Sequence, residues 1–215
     1  ALVATSFPAD FPAIDYPVMV GMIRQLGFDF VCEVSAGADL VAEAYKEWLS
    51  AYPDEKRIAT TCPAVVSYVE KYHPELVGAL SPIVSPMVAT SRILHKLHGD
   101  DLNVVFIGPC IAKKAEAIRP ENQEEMDAVM TFIELQQMFK ERGILADTNR
   151  VADFDPPHPG LGTLFPISRG MLQASNLNED LTSNHVVSAA GKTEFIQAVK
   201  GFEDGSLDAK LLEVL

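Results

Sequence analysis

The sequence predicts an α/β protein: two lobes of mainly parallel β-sheet flanked by helices, with a cofactor cleft between the lobes. Three observations carry this expectation. Short apolar, β-branched runs alternate with amphipathic stretches along nearly the whole chain, the pattern of βαβ units. No segment repeats at a fixed period. Two cysteines, Cys62 and Cys110, each stand where a strand-like run gives way to a helical one, and open α/β sheets bind ligands beyond the carboxyl ends of their strands.

The elements follow in order. Leu2–Ser6 reads as a strand, and Pro17–Leu26 as a helix with Val18, Met22, Ile23 and Leu26 on one face. Phe28–Val34 is a strand holding Cys32, and Asp39–Tyr52 a helix carrying Trp48. Arg57–Thr61 is a strand; Pro63 suits a first helical turn, and the helix from Ala64 to Tyr72 stops at His73-Pro74. Ser85-Pro86 opens a helix reaching Leu97, which Gly99 ends. A second cycle begins at Asp100, with a strand over Leu102–Ile107, a helix over Ile111–Ala117 and a short strand over Ala128–Met130. Thr131 and Glu134 form a capping box for a helix reaching Arg142, closed by Gly143. The proline-rich stretch Asn149–Gly162 reads as a surface excursion or lid. Val186–Ala190 is a strand and Thr193–Phe202 a helix. The expected lobes are residues 1–99 and 100–215, and the apolar ends suggest a piece excised from a longer protein.

The 215 residues suffice for a substantial core. The hydrophobic share of 48% with 22% charged residues is ordinary for a globular protein. Seventeen basic residues against 30 acidic ones give a net charge of −13, which argues against nucleic acid and anionic membranes as partners. No apolar run approaches bilayer length, so no membrane insertion is expected, and there is no signal-peptide layout. Three cysteines without dense spacing make no disulfide framework, which points to a reducing cytoplasm.

A lone cysteine in such a protein is most often a small buried hydrophobe, and Cys32, mid-strand, fits that description. Cys62 and Cys110 differ, because each opens a helix, where backbone N–H groups and the helix dipole favour a thiolate ligand. The five histidines, His73, His95, His98, His158 and His185, read as surface or cap residues. His95 and His98 share a helix face, but no third metal ligand is apparent.

The cysteine segments, Thr60-Thr61-Cys62-Pro63 and Pro109-Cys110-Ile111-Ala112-Lys113-Lys114-Ala115-Glu116-Ala117, resemble signatures of the iron-only (di-iron) hydrogenases, in their catalytic H-cluster domain. Ser85-Pro86-Met87, Gly37-Ala38-Asp39-Leu40 and the stretch from Phe165 to Leu172 are similar to further family segments, in family order. The resemblance implies a 4Fe–4S cubane joined to a di-iron centre, the H-cluster. Cys62 and Cys110 match two of the cubane's four cysteine ligands. Lys113 matches a lysine that hydrogen-bonds a cyanide of the di-iron unit, Ser85 falls in a cofactor-lining motif, and Pro8 in a segment that lines the cyanide side. The remaining cysteine pair has no counterpart in this chain, so the cluster is expected to be absent from the fragment. The implied reaction is reversible H2 oxidation and proton reduction. The implied partners are H2, protons and a ferredoxin-type electron donor, or flanking iron–sulfur and signalling domains.

The chain departs from the active pattern. Thr61 stands where the family's proton-transferring cysteine belongs, and a hydroxyl hardly ionises near neutral pH. Ala44 and Tyr45 fall where relay glutamates would, while Ser81 matches a relay serine. Gly108 replaces a methionine and is expected to open space beside the di-iron unit; Arg169 interrupts a Gly-Gly pair. These changes resemble the family's sensory, PAS-associated branch and imply slow, H2-sensing chemistry. The alternative is a non-catalytic iron–sulfur cluster-assembly or signalling scaffold with a hydrogenase-like fold.

Overall fold

The computed structural model describes residues 1–175 and 186–214; His185 and Leu215 lie outside the described residues. In chain order the structure runs through β1 (Leu2–Val3), α1 (Phe7–Asp10), α2 (Tyr16–Gln25), β2 (Cys32–Glu33) and α3 (Ser35–Ala51). Next come β3 (Arg57–Ile58), α4 (Pro63–Tyr72), a 3-10 turn at Pro74–Ala79, α5 (Pro86–His98), β4 (Val105–Gly108) and α6 (Ala112–Ala117). The last described elements are β5 (Ala128–Thr131), α7 (Phe132–Glu141), α8 (Gly170–Ala174), β6 (Val186–Ala189), α9 (Gly191–Glu203) and β7 (Leu211–Val214). The fold is α/β with parallel sheets and flanking helices, as the alternation of patterns predicts. Among the described residues no helix is long and apolar enough to cross a membrane.

The compact units are not the two sequential halves expected. One comprises residues 1–37 and 87–160, the other 38–86 and 161–215. The boundary expected at Gly99-Asp100 is therefore replaced by two discontinuous units. Strand pairing is the physical reason. β1 pairs in parallel with β4, far along the chain, and β3 pairs with β7, farther still. A turn signal at Gly99 ends a helix, as its φ of 97° permits, but it does not separate cores.

In the first unit the parallel strand order is β2-β1-β4-β5. Leu2, Val3, Phe106 and Ile107 are almost wholly buried, as expected for a sheet covered by helices. α7 packs on β4 and β5, and its capping box forms as the sequence predicts: Glu134 N–H donates to Thr131 Oγ1 at 3.2 Å, and Thr131 N–H donates to Glu134 Oε2 at 2.6 Å. The first strand ends at Val3 rather than Ser6, because a short helix begins at Phe7 with Pro8 in its first turn.

Of the two readings of Asn149–Gly162, the surface excursion fits and the lid does not: residues 149–160 run along the surface, strapped to their own unit. Ala152 N–H donates to Pro17 O at 3.0 Å, Asp155 N–H to Val31 O at 2.8 Å, and Arg24 meets Asp155 at 2.6 Å. Phe154 packs edge-on against Phe7 and stacks with Tyr16. Gly21 in α2 permits the closest approach: a Cβ there would stand 1.9 Å from the Arg150 carbonyl oxygen.

In the second unit the order is β3-β7-β6, all parallel, with α9 against β6 and β7. Ile58, Val65, Val69, Val199, Leu212 and Val214 form its core. The apolar run at Leu211–Val214, to which the sequence assigns no strand, is the central strand of this sheet.

Candidate iron–sulfur ligand segments

Cys62 lies beyond β3 and caps α4 in extended conformation, with φ −103° and ψ 109°. Pro63 follows as the first helical residue, where its missing N–H costs nothing. The Cys62 carbonyl accepts from the N–H groups of Val65 and Val66 at 3.1 and 3.2 Å, so the backbone is fixed while Sγ stays free. The thiol is half-buried and packs against the core of the second unit.

Tyr45 fixes the approach to this cysteine, a role the sequence did not reveal. It is 1% exposed on α3, and its Oη accepts from Thr60 N–H at 2.9 Å and lies 3.2 Å from Thr60 Oγ1. Thr60 Oγ1 in turn lies 2.5 Å from the Ile83 carbonyl oxygen. Burial raises the Tyr45 pKa, partly offset by these bonds, so the phenol stays neutral. A position expected to lack a relay glutamate thus holds a clamp on the residue two before Cys62. The signal was a large aromatic on the inward face of a helix, which reads equally well as ordinary core.

Cys110 follows β4 by two residues, after Pro109, and its carbonyl accepts from Lys113 N–H at 3.2 Å as α6 begins. Lys113 Nζ meets Glu116 at 2.7 Å, with the two side chains 11% and 9% exposed. Lys114 pairs instead with Glu134, whose carboxyl is held at about 2, chiefly by hydrogen bonding to Lys114 and then by Thr131. Gly108 does not open space: a Cβ there would meet the Phe106 ring at 2.7 Å and the Ala4 Cβ at 2.9 Å. The Phe106 ring fills the volume expected to be vacant.

Of the other expected residues, Pro8 is exposed on α1 and Thr61 is half-buried. Ser85, 2% exposed, carries a buried hydroxyl with no hydrogen-bond partner among the described residues. An unsatisfied buried hydroxyl costs about 1–3 kcal/mol, so this atom fits a group meant to receive a ligand. Cys32 does not fit. It is fully buried in β2, and burial pushes its thiol up to about 11, the opposite of a thiolate ligand. The donor set of this chain therefore matches two corners of a four-cysteine cubane. His95 bonds the Leu102 carbonyl at 3.0 Å while His98 packs on Phe30, so these two histidines make no metal pair.

Arg169 adopts a left-handed backbone, φ 63°, ahead of α8, and its N–H donates to Ser188 Oγ at 3.3 Å. Beside it Glu213 is buried in β7, accepting from Met171 N–H at 3.2 Å and from Ser188 Oγ at 3.1 Å. Burial raises its pKa, offset in part by those bonds and by the Arg169 charge. A carboxyl raised on folding favours its protonated form, so its stabilising contribution is complete below the unfolded value near 4.5 and is lost as pH rises through the folded value. Glu213→Gln should therefore gain thermal stability over the parent as pH increases from 4 to 8. A difference in Tm that stays flat across that range would contradict this account.

Three comparisons relate the chain to known proteins. The family described as "Iron only hydrogenase large subunit, C-terminal domain" matches residues 1–215. Iron hydrogenase 1 of Clostridium pasteurianum is 30% identical over 171 residues, 71% of this chain and 30% of that protein. The cytosolic Fe-S cluster assembly factor NAR1 of Debaryomyces hansenii is 29% identical over 158 residues, 66% of this chain and 29% of that protein. The matches thus span less than a third of either curated relative. The fold also matches an FeFe-hydrogenase HydA1 variant from Chlamydomonas reinhardtii with TM-score 0.79 and 20% identity, over 100% of this chain and 76% of that one.

Proposed function

Since the chain belongs, over residues 1–215, to the family of the iron only hydrogenase large subunit, C-terminal domain, we propose that it serves as a cluster-holding domain for slow, H2-sensing hydrogenase chemistry. The supporting observation is the Cys110 segment, where a thiol at a strand end is followed by a half-buried, ion-paired lysine. The cluster, when bound, would supply electrons and the site at which H2 and two protons plus two electrons interconvert. Cys62 and Cys110 would each give it a thiolate. Lys113, preset by Glu116, offers a compact cationic donor to an anionic ligand of the iron, and Ser85 offers an unspent hydroxyl. Thr61 contributes a hydrogen bond but moves no proton near neutral pH. A ferredoxin-type protein or a fused iron–sulfur domain in a reducing cytoplasm would exchange the electrons.

The scaffold reading is favoured by one observation, the non-ionising Thr61 beside Cys62, and by the similarity to an assembly factor. Iron content and gas exchange separate the two. The 215-residue chain, reconstituted anaerobically with iron and sulfide, should hold fewer than four irons, because two thiolates leave half of a cubane unligated. A longer, matured form supplying two further cysteines should hold the whole cluster and exchange hydrogen isotopes between H2 and water. A fully loaded cluster with no exchange would establish the scaffold and overturn the hydrogenase reading.

A further inference from the structure

At the far end of α4 from Cys62, about 15 Å along the helix axis, three ligating side chains converge. His73 follows the last residue of α4 and Glu75 lies in the 3-10 turn that continues from it. Glu203 is the final residue of α9. His73 is 6% exposed, whereas both glutamates reach the surface. Its Nδ1 stands 2.9 Å from a Glu203 oxygen and 3.7 Å from a Glu75 oxygen. One ligand atom from each residue lies within 4.8 Å of the others.

We propose that His73, Glu75 and Glu203 bind a divalent cation of the zinc type, joining α4 to α9 at a site independent of the cysteines.

Charge gives the first argument. Two carboxylates face one imidazole nitrogen, and a cation among them makes that arrangement favourable. Distance gives the second. Ligand bonds of about 2.0–2.1 Å at tetrahedral angles separate donor atoms by roughly 3.3 Å. The observed 2.9 and 3.7 Å straddle that value, so small side-chain shifts would close the shell. Orientation gives the third and is independent of the acids. His73 Nε2 lies 3.3 Å from Tyr68 Oη, and the Tyr68 ring packs edge-on against Phe195 of α9. With Nε2–H donating to that hydroxyl, the Nδ1 lone pair points at the carboxylates, as a metal-binding histidine with an outer partner requires. Imidazole and carboxylate donors suit zinc better than calcium or magnesium, which prefer all-oxygen shells. Three protein ligands leave the fourth position to water.

The test uses the full chain with Cys62→Ser and Cys110→Ser, so that zinc-binding thiols do not compete, stripped by chelator and titrated with zinc chloride against a chromophoric competitor. One zinc per chain is expected. Glu203→Gln and Glu75→Gln, both at surface positions that leave the core intact, should each weaken binding at least tenfold. Tyr68→Phe should weaken it about tenfold, the lower end for an outer partner. X-ray absorption should show nitrogen and oxygen ligands near 2.0–2.1 Å. Equal zinc affinity in the parent and the double glutamine variant would overturn the proposal, as would no binding at all. A sulfur shell near 2.3 Å would also overturn it.

Discussion

On the proposed hydrogenase reading, replacing Thr61 with cysteine in a matured, cluster-loaded form should raise the rate of hydrogen evolution by tenfold or more. The change restores a thiol that can ionise near working pH at the residue before Cys62. A positioned acid–base group typically contributes ~10²–10⁴-fold. The gain should fall toward or below the lower limit, because Ala44 and Tyr45 supply no carboxylate to carry the proton onward. Tyr45 is moreover committed to Thr60, so adding a carboxylate there would loosen the segment that presents Cys62. Ala44→Glu is the cleaner second step, since Ala44 is half-exposed on the same helix. It should add to the rate when combined with Thr61→Cys and add little in the parent. Thr61→Ser is the control: similar in size, equally unable to ionise, it should leave the rate where it is. Equal acceleration by serine and cysteine would show that space, and not acidity, limits turnover.

Leu212→Ala should unfold the second unit under conditions where the parent is stable. Leu212 is fully buried in the central strand, flanked by β3 and β6, within the cluster of Ile58, Val65, Val69, Val199 and Val214. Removing a buried leucine costs about 2–5 kcal/mol, through lost transfer energy and the cavity left behind. That is a large share of a typical net stability of ~5–15 kcal/mol. Urea titration followed by tryptophan fluorescence reports it directly, because Trp48 sits on α3 in this unit. A loss below about 1 kcal/mol would mean that the core collapses around the gap, contrary to the tight packing argued for interiors.

What the sequence disclosed follows from which forces are local. The capping box at Thr131 and Glu134, the stop at Gly99 and the proline start at Pro63 depend on residues within one turn, and each appears where expected. Both cysteine segments also lie at strand-to-helix transitions, because apolar runs followed by proline mark that change locally. Pairing between distant strands leaves no such mark. Leu211–Val214 is a four-residue run interrupted by Glu213, and nothing nearby says that β3 needs it as a partner. The division into units was misread for the same reason. Glu213 itself is buried by its register opposite Ser188, which only the sheet determines. Phe106 filling the room beside Gly108, and the extended segment pinned to α2, are likewise matters of packing between remote parts. The cluster of His73, Glu75 and Glu203 needs α4 and α9 to meet, so its two halves look unrelated along the chain.

The discontinuous units set a timetable for biosynthesis. A ribosome releases the chain in order, yet the strand ahead of Cys62, bonded nearby only through Ser81 N–H to the Ile58 carbonyl, gains its neighbouring strand when Leu211–Val214 emerges, roughly 150 residues later. Until then the β7 side of β3 is an unpaired edge, although Ile58 already has Val65 and Val69 of α4 and the bridge to Leu80 beside it, and that open edge can be captured by chaperones or by other chains. The first unit is less delayed, since its last strand, β5, is complete at Thr131. The two cysteines are therefore presented at different moments: Cys110 early, on a sheet already closed, and Cys62 late. On the proposed cluster-holding role, a factor delivering iron and sulfide would have to wait for the slower of the two, and a chain stalled during translation would offer it a single thiol.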